Sequence, residues 1–203
     1  MIHKISEKII CWQVIKGNIT EEERNKYVYS YEILLNQLIN ISIAMVLAVI
    51  SCELKSVMLF LVIYIPLRKY AGGFHAKTNE RCIVYSSFII IYVIFLNKWL
   101  RSFADGYENI MAICSMLLLA FVCYVAPIEA KNKKLDMEEN RKYRRKVHII
   151  CIIHIFIMAL NVLVLKRICI SINILLGYLT LFWALIIAYK NKARKLYIEE
   201  RGE

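Results

Sequence analysis

The chain has 203 residues, of which 60% are apolar, and it carries 27 lysine and arginine residues against 16 acidic ones. Its mean hydropathy of +0.53 excludes an ordinary soluble domain, because a soluble fold needs a largely polar surface. The charges stand in short dense blocks between long apolar runs. Bilayer hydrocarbon solvates neither charges nor unpaired backbone groups, so this pattern predicts an all-α polytopic integral membrane protein.

The start of the chain has apolar side chains at helical spacing, flanked by lysines: Ile2, Ile5, Ile9 and Trp12. This pattern predicts an amphipathic helix, and the lysines suit the surface of an anionic leaflet. The expected neighbour is membrane lipid, although the same face would also pack on protein. We assign residues 1–32 to an amphipathic, interfacial N-terminal region.

Six apolar segments follow and form a predicted transmembrane helical domain at residues 33–189, with a basic cytoplasmic tail at 190–203. They lie at Ile33–Cys52, Ser56–Pro66, Ile83–Leu100, Ile110–Ala126, Val147–Leu165 and Ile168–Tyr189. A helix rises 1.5 Å per residue and needs about 20 residues to cross the hydrocarbon. The second segment is too short for a crossing unless its helix continues through Tyr70.

The lysines and arginines are distributed unevenly between the two sides of such a bundle. With six crossings and both termini in the cytoplasm, 22 of the 27 basic residues lie on the cytoplasmic side. This agrees with the positive-inside rule. We therefore expect a multi-pass protein of the cell membrane whose loop 67–82 faces the cytoplasm.

The most basic loop lies between Lys131 and Lys146. A basic loop is common on the cytoplasmic side of membrane proteins and needs no specific function. The more specific interpretation is that this loop is a docking surface for an acidic peptide. The basic residues have no nucleic-acid-binding fold or aromatic platform behind them, so we expect no nucleic acid partner. The seven cysteines show neither paired spacing nor a zinc pattern, and we expect no metal and no cofactor.

One cysteine, Cys82, is a candidate catalytic nucleophile because of its neighbours in the sequence. It stands at the start of the third apolar segment, seven residues after His75 and shortly after Arg68 and Lys69. A thiol is nucleophilic only as thiolate, and burial in apolar surroundings opposes that form. A nucleophile, an imidazole base and cationic groups are the components of Cys-His catalysis.

Spacing alone does not bring His75 and Cys82 together. On a continuous helix, side chains seven residues apart share a face but lie about 10.5 Å apart along the axis. Direct pairing therefore requires a bend, which Gly72 and Gly73 permit, and their backbone amides are also candidate donors to an oxyanion. The alternative is that the two glycines only make the turn between two helices.

Two further groups of polar residues lie inside the apolar segments. His154 and Asn161 share a face of the fifth segment, where polar residues indicate either function or an interhelical hydrogen bond. A polar stripe crosses the first segment, and one of its members is a candidate third residue beside His75: Asn36, Gln37 and Asn40.

Together, these residues resemble a known family. The pattern Arg68-Lys69-x-x-Gly72-Gly73-x-His75, with Cys82 seven residues on, resembles the accessory gene regulator protein B (AgrB) family in a chain of similar length, hydropathy and charge. That family consists of membrane cysteine endopeptidases of Gram-positive quorum-sensing systems.

The resemblance implies catalytic roles for Cys82 as nucleophile and His75 as base, with Arg68, Lys69, Gly72 and Gly73 binding substrate or supporting the site. The implied substrate is a short propeptide with an amphipathic leader, a Cys- or Ser-containing core and an acidic C-terminal tail. Cleavage through a Cys82 thioester would pass the core on to cyclisation as a thiolactone or lactone autoinducing peptide. A homodimer is the assembly that the resemblance implies.

The rival hypothesis is a non-enzymatic protein, either a small polytopic transporter or a scaffold. In that case the Gly72-Gly73-x-His75 sequence is only a helix turn.

Overall fold

The computed structural model describes residues 2–73, 78–103, 106–128 and 136–201, without the side chains of 108 and 192–201. Within these ranges the chain is helical and has no β-strand longer than a single bridge. Its α-helices are α1 (Ile2–Ile15), α2 (Arg24–Ile50), α3 (Leu54–Ala71), α4 (Asn79–Ser102), α5 (Glu108–Val125), α6 (Met137–Leu160) and α7 (Ile168–Arg201). A 3-10 turn at Glu21–Glu23 precedes α2, and a π-helical turn at Asn161–Leu165 extends α6.

Four helical stretches are long and apolar enough to cross a membrane: Glu21–Ile50, Asn79–Ser102, Met137–Leu165 and Ile168–Asn191. They confirm the prediction of an all-α, multi-pass membrane protein. The helix of the second segment does continue through Tyr70, but α3 carries three basic residues within its 18 positions. The number of crossings and the cytoplasmic position of the termini and of loop 67–82 stay predictions.

Hydrogen bonds between α6 and α7 fix their relative direction. His154 Nδ1 lies 3.0 Å from the Tyr178 hydroxyl oxygen. Seven residues later in α6, Asn161 donates from Nδ2 to Ser171 Oγ at 2.8 Å, seven residues earlier in α7. The two helices are therefore antiparallel, and both polar side chains of the fifth segment are buried with interhelical partners.

The start of α3 is joined to the end of α4, so these two helices are also antiparallel. Arg101 donates to the buried Glu53 carboxylate at 2.5 Å and to Ser56 Oγ at 2.8 Å. Ser56 Oγ in turn lies 3.7 Å from Cys169 Sγ at the start of α7. We call this end of the bundle the far end, and the end that carries Gly72 and Thr78 the site end.

The centre of the bundle is α7. It belongs to both hydrophobic clusters of the described residues, one shared with α3, α5 and α6, and the other with α2, α3, α4 and α5. Its buried side chains surround the helix on all sides: Ile172, Ile174, Leu176, Tyr178, Leu181 and Leu185. A helix with buried apolar side chains on several faces belongs inside a bundle, and α3, α4, α5 and α6 pack against this one.

Helix α1 packs against the first half of α2. Ile2, Ser6 and Ile10 are buried along the contact, while Trp12 and Ile15 are exposed. His3 Nδ1 lies 2.5 Å from a Glu32 carboxylate oxygen. The interfacial role of residues 1–32 stays a prediction.

An amide pair between α4 and α7 should contribute measurably to stability. Asn97 and Asn173 are fully buried and each donates to the other at 3.2 Å. We expect Asn97→Leu alone to lower the unfolding free energy by about 1 kcal/mol. Asn97→Leu combined with Asn173→Leu should lose less than the sum of the single changes, because neither amide is then left unpaired. Reversible unfolding in mixed detergent micelles measures all three, and strict additivity would contradict the pairing.

The contact between α1 and α2 should depend on pH. The hydrogen bond to Glu32, with the nearby Glu7 carboxylate, raises the pKa of His3 above its usual 6.5. The stabilisation is therefore complete below about pH 6.5 and is lost as the pH rises through the raised pKa. The hydrogen-exchange protection of the α1 amides is measured in the native protein and in His3→Gln. The ratio of the native value to the His3→Gln value should fall as the pH rises through the raised pKa of His3. A ratio that is constant with pH would count against this ion pair.

Candidate active site

The predicted bend between His75 and Cys82 begins at the end of α3. Gly72 follows the last helical residue with φ +74°, and Gly73 has φ +115°. L-residues with a side chain rarely adopt these values, so the sequence needs glycine here. Arg68 donates to the Gly72 carbonyl oxygen, and a Cβ on Gly73 would overlap the Arg68 guanidinium.

Gly72 also lies directly against the chain that follows α5. It forms a parallel β-bridge with Ile128, whose backbone N–H donates to the Ala71 carbonyl at 3.0 Å. A Cβ on Gly72 would overlap the Ile128 carbonyl oxygen. The two glycines therefore do more than make a turn, since they let two backbone segments meet at the site end.

Cys82 lies in the first turn of α4. Thr78 caps the helix: its Oγ1 accepts from the Arg81 N–H at 3.3 Å, and its carbonyl accepts from the Cys82 N–H at 3.1 Å. The N-terminus of a helix favours negative charge, which includes a thiolate. The Cys82 side chain is only partly buried.

Helices α2 and α3 bring polar side chains to Cys82 on α4. From α2, Asn40 Nδ2 donates to Cys82 Sγ at 3.8 Å. From α3, Tyr64 hydrogen-bonds Arg68 and lies close enough to Cys82 to interact with it electrostatically. Of the polar stripe on α2, Asn40 is thus the member that contacts the thiol, whereas Gln37 is exposed.

The predicted base, His75, lies outside the described residues, as does the rest of the segment 74–77. The distance between His75 and Cys82 therefore stays a prediction. The glycine bend and the position of Cys82 at a helix start are the parts of the predicted constellation that the structure describes.

Basic side chains gather around the site end. Lys69 is exposed, and the Nζ atoms of Lys69 and Lys146 lie 5.6 and 4.7 Å from the centre of the Tyr70 ring. Tyr70 also makes an edge contact with Tyr143, with ring centres 5.7 Å apart. These contacts bring the basic stretch of α6 at residues 141–146 next to the end of α3, so basic side chains of two helices lie at this end.

Sequence reasoning did not identify Tyr64 as part of the site. It is an aromatic residue within an apolar segment and stacks on Phe60 with ring centres 5.1 Å apart, as a core residue would. A signal was present in its position four residues before Arg68, because residues at this spacing meet on one face of a helix.

The contact between Gly72 and Ile128 predicts a specific effect of adding one methyl group. Gly72→Ala should lower the unfolding free energy by about 1–3 kcal/mol for the strained backbone, with φ +74° and ψ −148°, and by about 1–3 kcal/mol more for the overlap. Gly17→Ala is the control for a positive φ, because Gly17 also has φ +74° but has open space at its Cβ. Thermal unfolding in detergent compares them, and equal losses would show that the Ile128 contact is unimportant.

The sequence is similar to one known protein family. The family model of accessory gene regulator B matches residues 2–190. AgrB-like protein 2 of Clostridium perfringens (strain 13 / Type A) is 27% identical over 169 residues, which cover 80% of this chain and 78% of the relative. An AgrB-like protein of Clostridium perfringens (strain SM101 / Type A) matches with the same identity and coverage. No solved structure matches the chain.

Both relatives are named only for their likeness to AgrB. The family model, however, spans nearly the whole chain, including the glycine bend, the segment with His75 and the start of α4 with Cys82. The chain therefore belongs to the accessory gene regulator B family.

Proposed function

We propose that this protein is a membrane cysteine endopeptidase that removes the acidic C-terminal tail of a short signal propeptide. Membership of the AgrB family supports a role in the processing of autoinducing peptides. The observation that carries the proposal is the Cys82 thiol, which is partly exposed at a capped helix start and contacts the amide of Asn40.

The reaction has two stages. His75 takes the Cys82 proton, and the thiolate attacks the carbonyl carbon of the bond between core and tail. Collapse of the adduct breaks the C–N bond, and the tail leaves as an amine with the proton that His75 held. The core remains on Cys82 as a thioester.

A thiol or hydroxyl of the core can then replace Cys82. Because it is held close to the thioester, its effective concentration lets it compete with water. The product is a cyclic thiolactone or lactone, and the Cys82 thiol is regenerated. Exchange of one thioester for another changes the free energy little, so release of the tail drives the sequence.

The charges at the site end support an acidic substrate. Lys69 and the basic start of α6 lie beside the glycine bend, where they would attract an acidic tail and raise its rate of association. The exposed apolar face of α1 is a neighbouring surface for an amphipathic leader or for lipid. A homodimer in the cell membrane, with the loop 67–82 on the cytoplasmic side, completes the proposal.

A transporter or scaffold would need the glycine turn but no reactive thiol beside it. At the far end, Cys169 is also partly exposed, lies in the first turn of α7 and accepts from an amide, Asn173 Nδ2, at 3.5 Å. It is therefore a matched control for the general properties of such a cysteine.

The test is a processing assay with the full-length protein. It is co-expressed with a candidate propeptide that has an amphipathic leader, a Cys or Ser in its core and an acidic tail. Cys82→Ala and His75→Ala should each lower cleavage by about 10³-fold or more, because each removes a reacting group. Cys169→Ala should cleave at close to the native rate. Cleavage by Cys82→Ala at the native rate would refute the proposed cysteine endopeptidase activity.

A further inference from the structure

The amide of Asn40 is placed where acyl transfer at Cys82 develops negative charge. Its Nδ2 is 3.8 Å from Cys82 Sγ, in a partly buried contact between α2 and α4. In the tetrahedral adduct, the oxyanion is bonded to the carbon that Sγ attacks and so lies two bonds from the sulfur. An N–H group at this distance from Sγ is within reach of that oxygen.

The other atom of the same amide is also informative. Asn40 Oδ1 is buried and has no hydrogen-bond partner within the described ranges, and the same is true of Asn36 Oδ1 one turn earlier. Buried polar atoms of proteins almost always have a partner, and exceptions gather at functional sites. Asn40 and Asn36 share this burial but differ in the contact with the thiol. A comparison of their variants therefore distinguishes an effect of the thiol contact from an effect of the buried amide alone.

Two other described side chains near this contact already have partners. Tyr64 hydrogen-bonds Arg68, and Arg68 donates to the Gly72 carbonyl oxygen. Asn40 is the side chain whose N–H bond to the sulfur the structure shows directly.

We propose that Asn40 Nδ2 is the oxyanion donor of acyl transfer at Cys82. This inference rests on the proposed function, because it assigns a role in the same reaction. When the Cys82 thiolate adds to a carbonyl carbon, the S–C bond forms and the π electrons move to oxygen, whose charge the amide N–H stabilises. When the oxyanion collapses, the bond to the leaving group breaks, the electrons leave with that group, and Nδ2 returns to the sulfur.

Two small electrophiles test this role in the full-length protein, without the natural substrate. p-Nitrophenyl acetate acylates a thiolate through a tetrahedral oxyanion and releases p-nitrophenolate. Iodoacetamide alkylates the same thiolate by direct displacement and forms no oxyanion. Mass spectrometry of the peptide that contains Cys82 follows each reaction separately from the other six cysteines.

Asn40→Ala should slow acylation of Cys82 by p-nitrophenyl acetate at least about ten-fold, since one oxyanion donor is lost. Its alkylation by iodoacetamide should stay within about three-fold, because direct displacement forms no oxyanion for the amide to stabilise. Asn40→Asp, which keeps the shape but places a carboxylate at the oxyanion, should acylate more slowly than Asn40→Ala. Asn36→Ala should leave both rates unchanged.

Equal losses in both reactions would show that Asn40 only holds α2 and α4 in place, and would overturn the proposal. Native acylation by Asn40→Ala or Asn40→Asp would overturn it as well. Neither result would affect the role of Cys82, which the processing assay tests separately through Cys82→Ala. If Cys82→Ala processes normally, the proposed function fails, whatever the acylation rates of the Asn40 variants.

Discussion

The backbone contact between Gly72 and Ile128 is the constraint on which the site end depends. Two segments that leave different helices can meet there only because Gly72 has no side chain. The contact fixes the point at which α3 ends and orients the Gly72 carbonyl toward Arg68. The direction in which the chain leaves α3 follows from the glycine conformations, and the next helix begins a few residues later with Cys82 in its first turn.

The rest of the bundle holds this end in place through a small number of polar contacts in an apolar interior. In lipid, apolar surfaces gain little from meeting each other, so helix packing depends on close fit and on interhelical hydrogen bonds. The pairs of Asn97 with Asn173 and of His154 with Tyr178 tie α4 and α6 to the central α7. At the far end, the ion pair of Glu53 and Arg101 fixes α3 relative to α4. A shift of α4 would move Cys82 relative to Asn40.

Much of the fold was readable from the sequence, because lipid imposes simple rules on length, apolarity and charge. The helical class and the positions of the apolar segments follow from those rules, whereas the continuation of α3 through Tyr70 was only the condition for a second crossing. A bend at Gly72 was predicted from backbone freedom, but its contact with Ile128 was not, since those residues lie more than fifty positions apart. Asn40 was one of three candidates to lie beside His75, and the structure shows its contact with Cys82 instead, while Tyr64 had the appearance of a core residue.

The central claim is that Cys82 forms a covalent bond with the core of a propeptide. The most direct measurement is the mass of the Cys82 peptide after brief exposure of the native protein to its propeptide and rapid acid quenching. The account predicts an increase equal to the core with its leader, and complete loss of that increase in neutral hydroxylamine, which cleaves thioesters. A propeptide that is cleaved without any adduct on Cys82, or with an adduct on another cysteine, would contradict it.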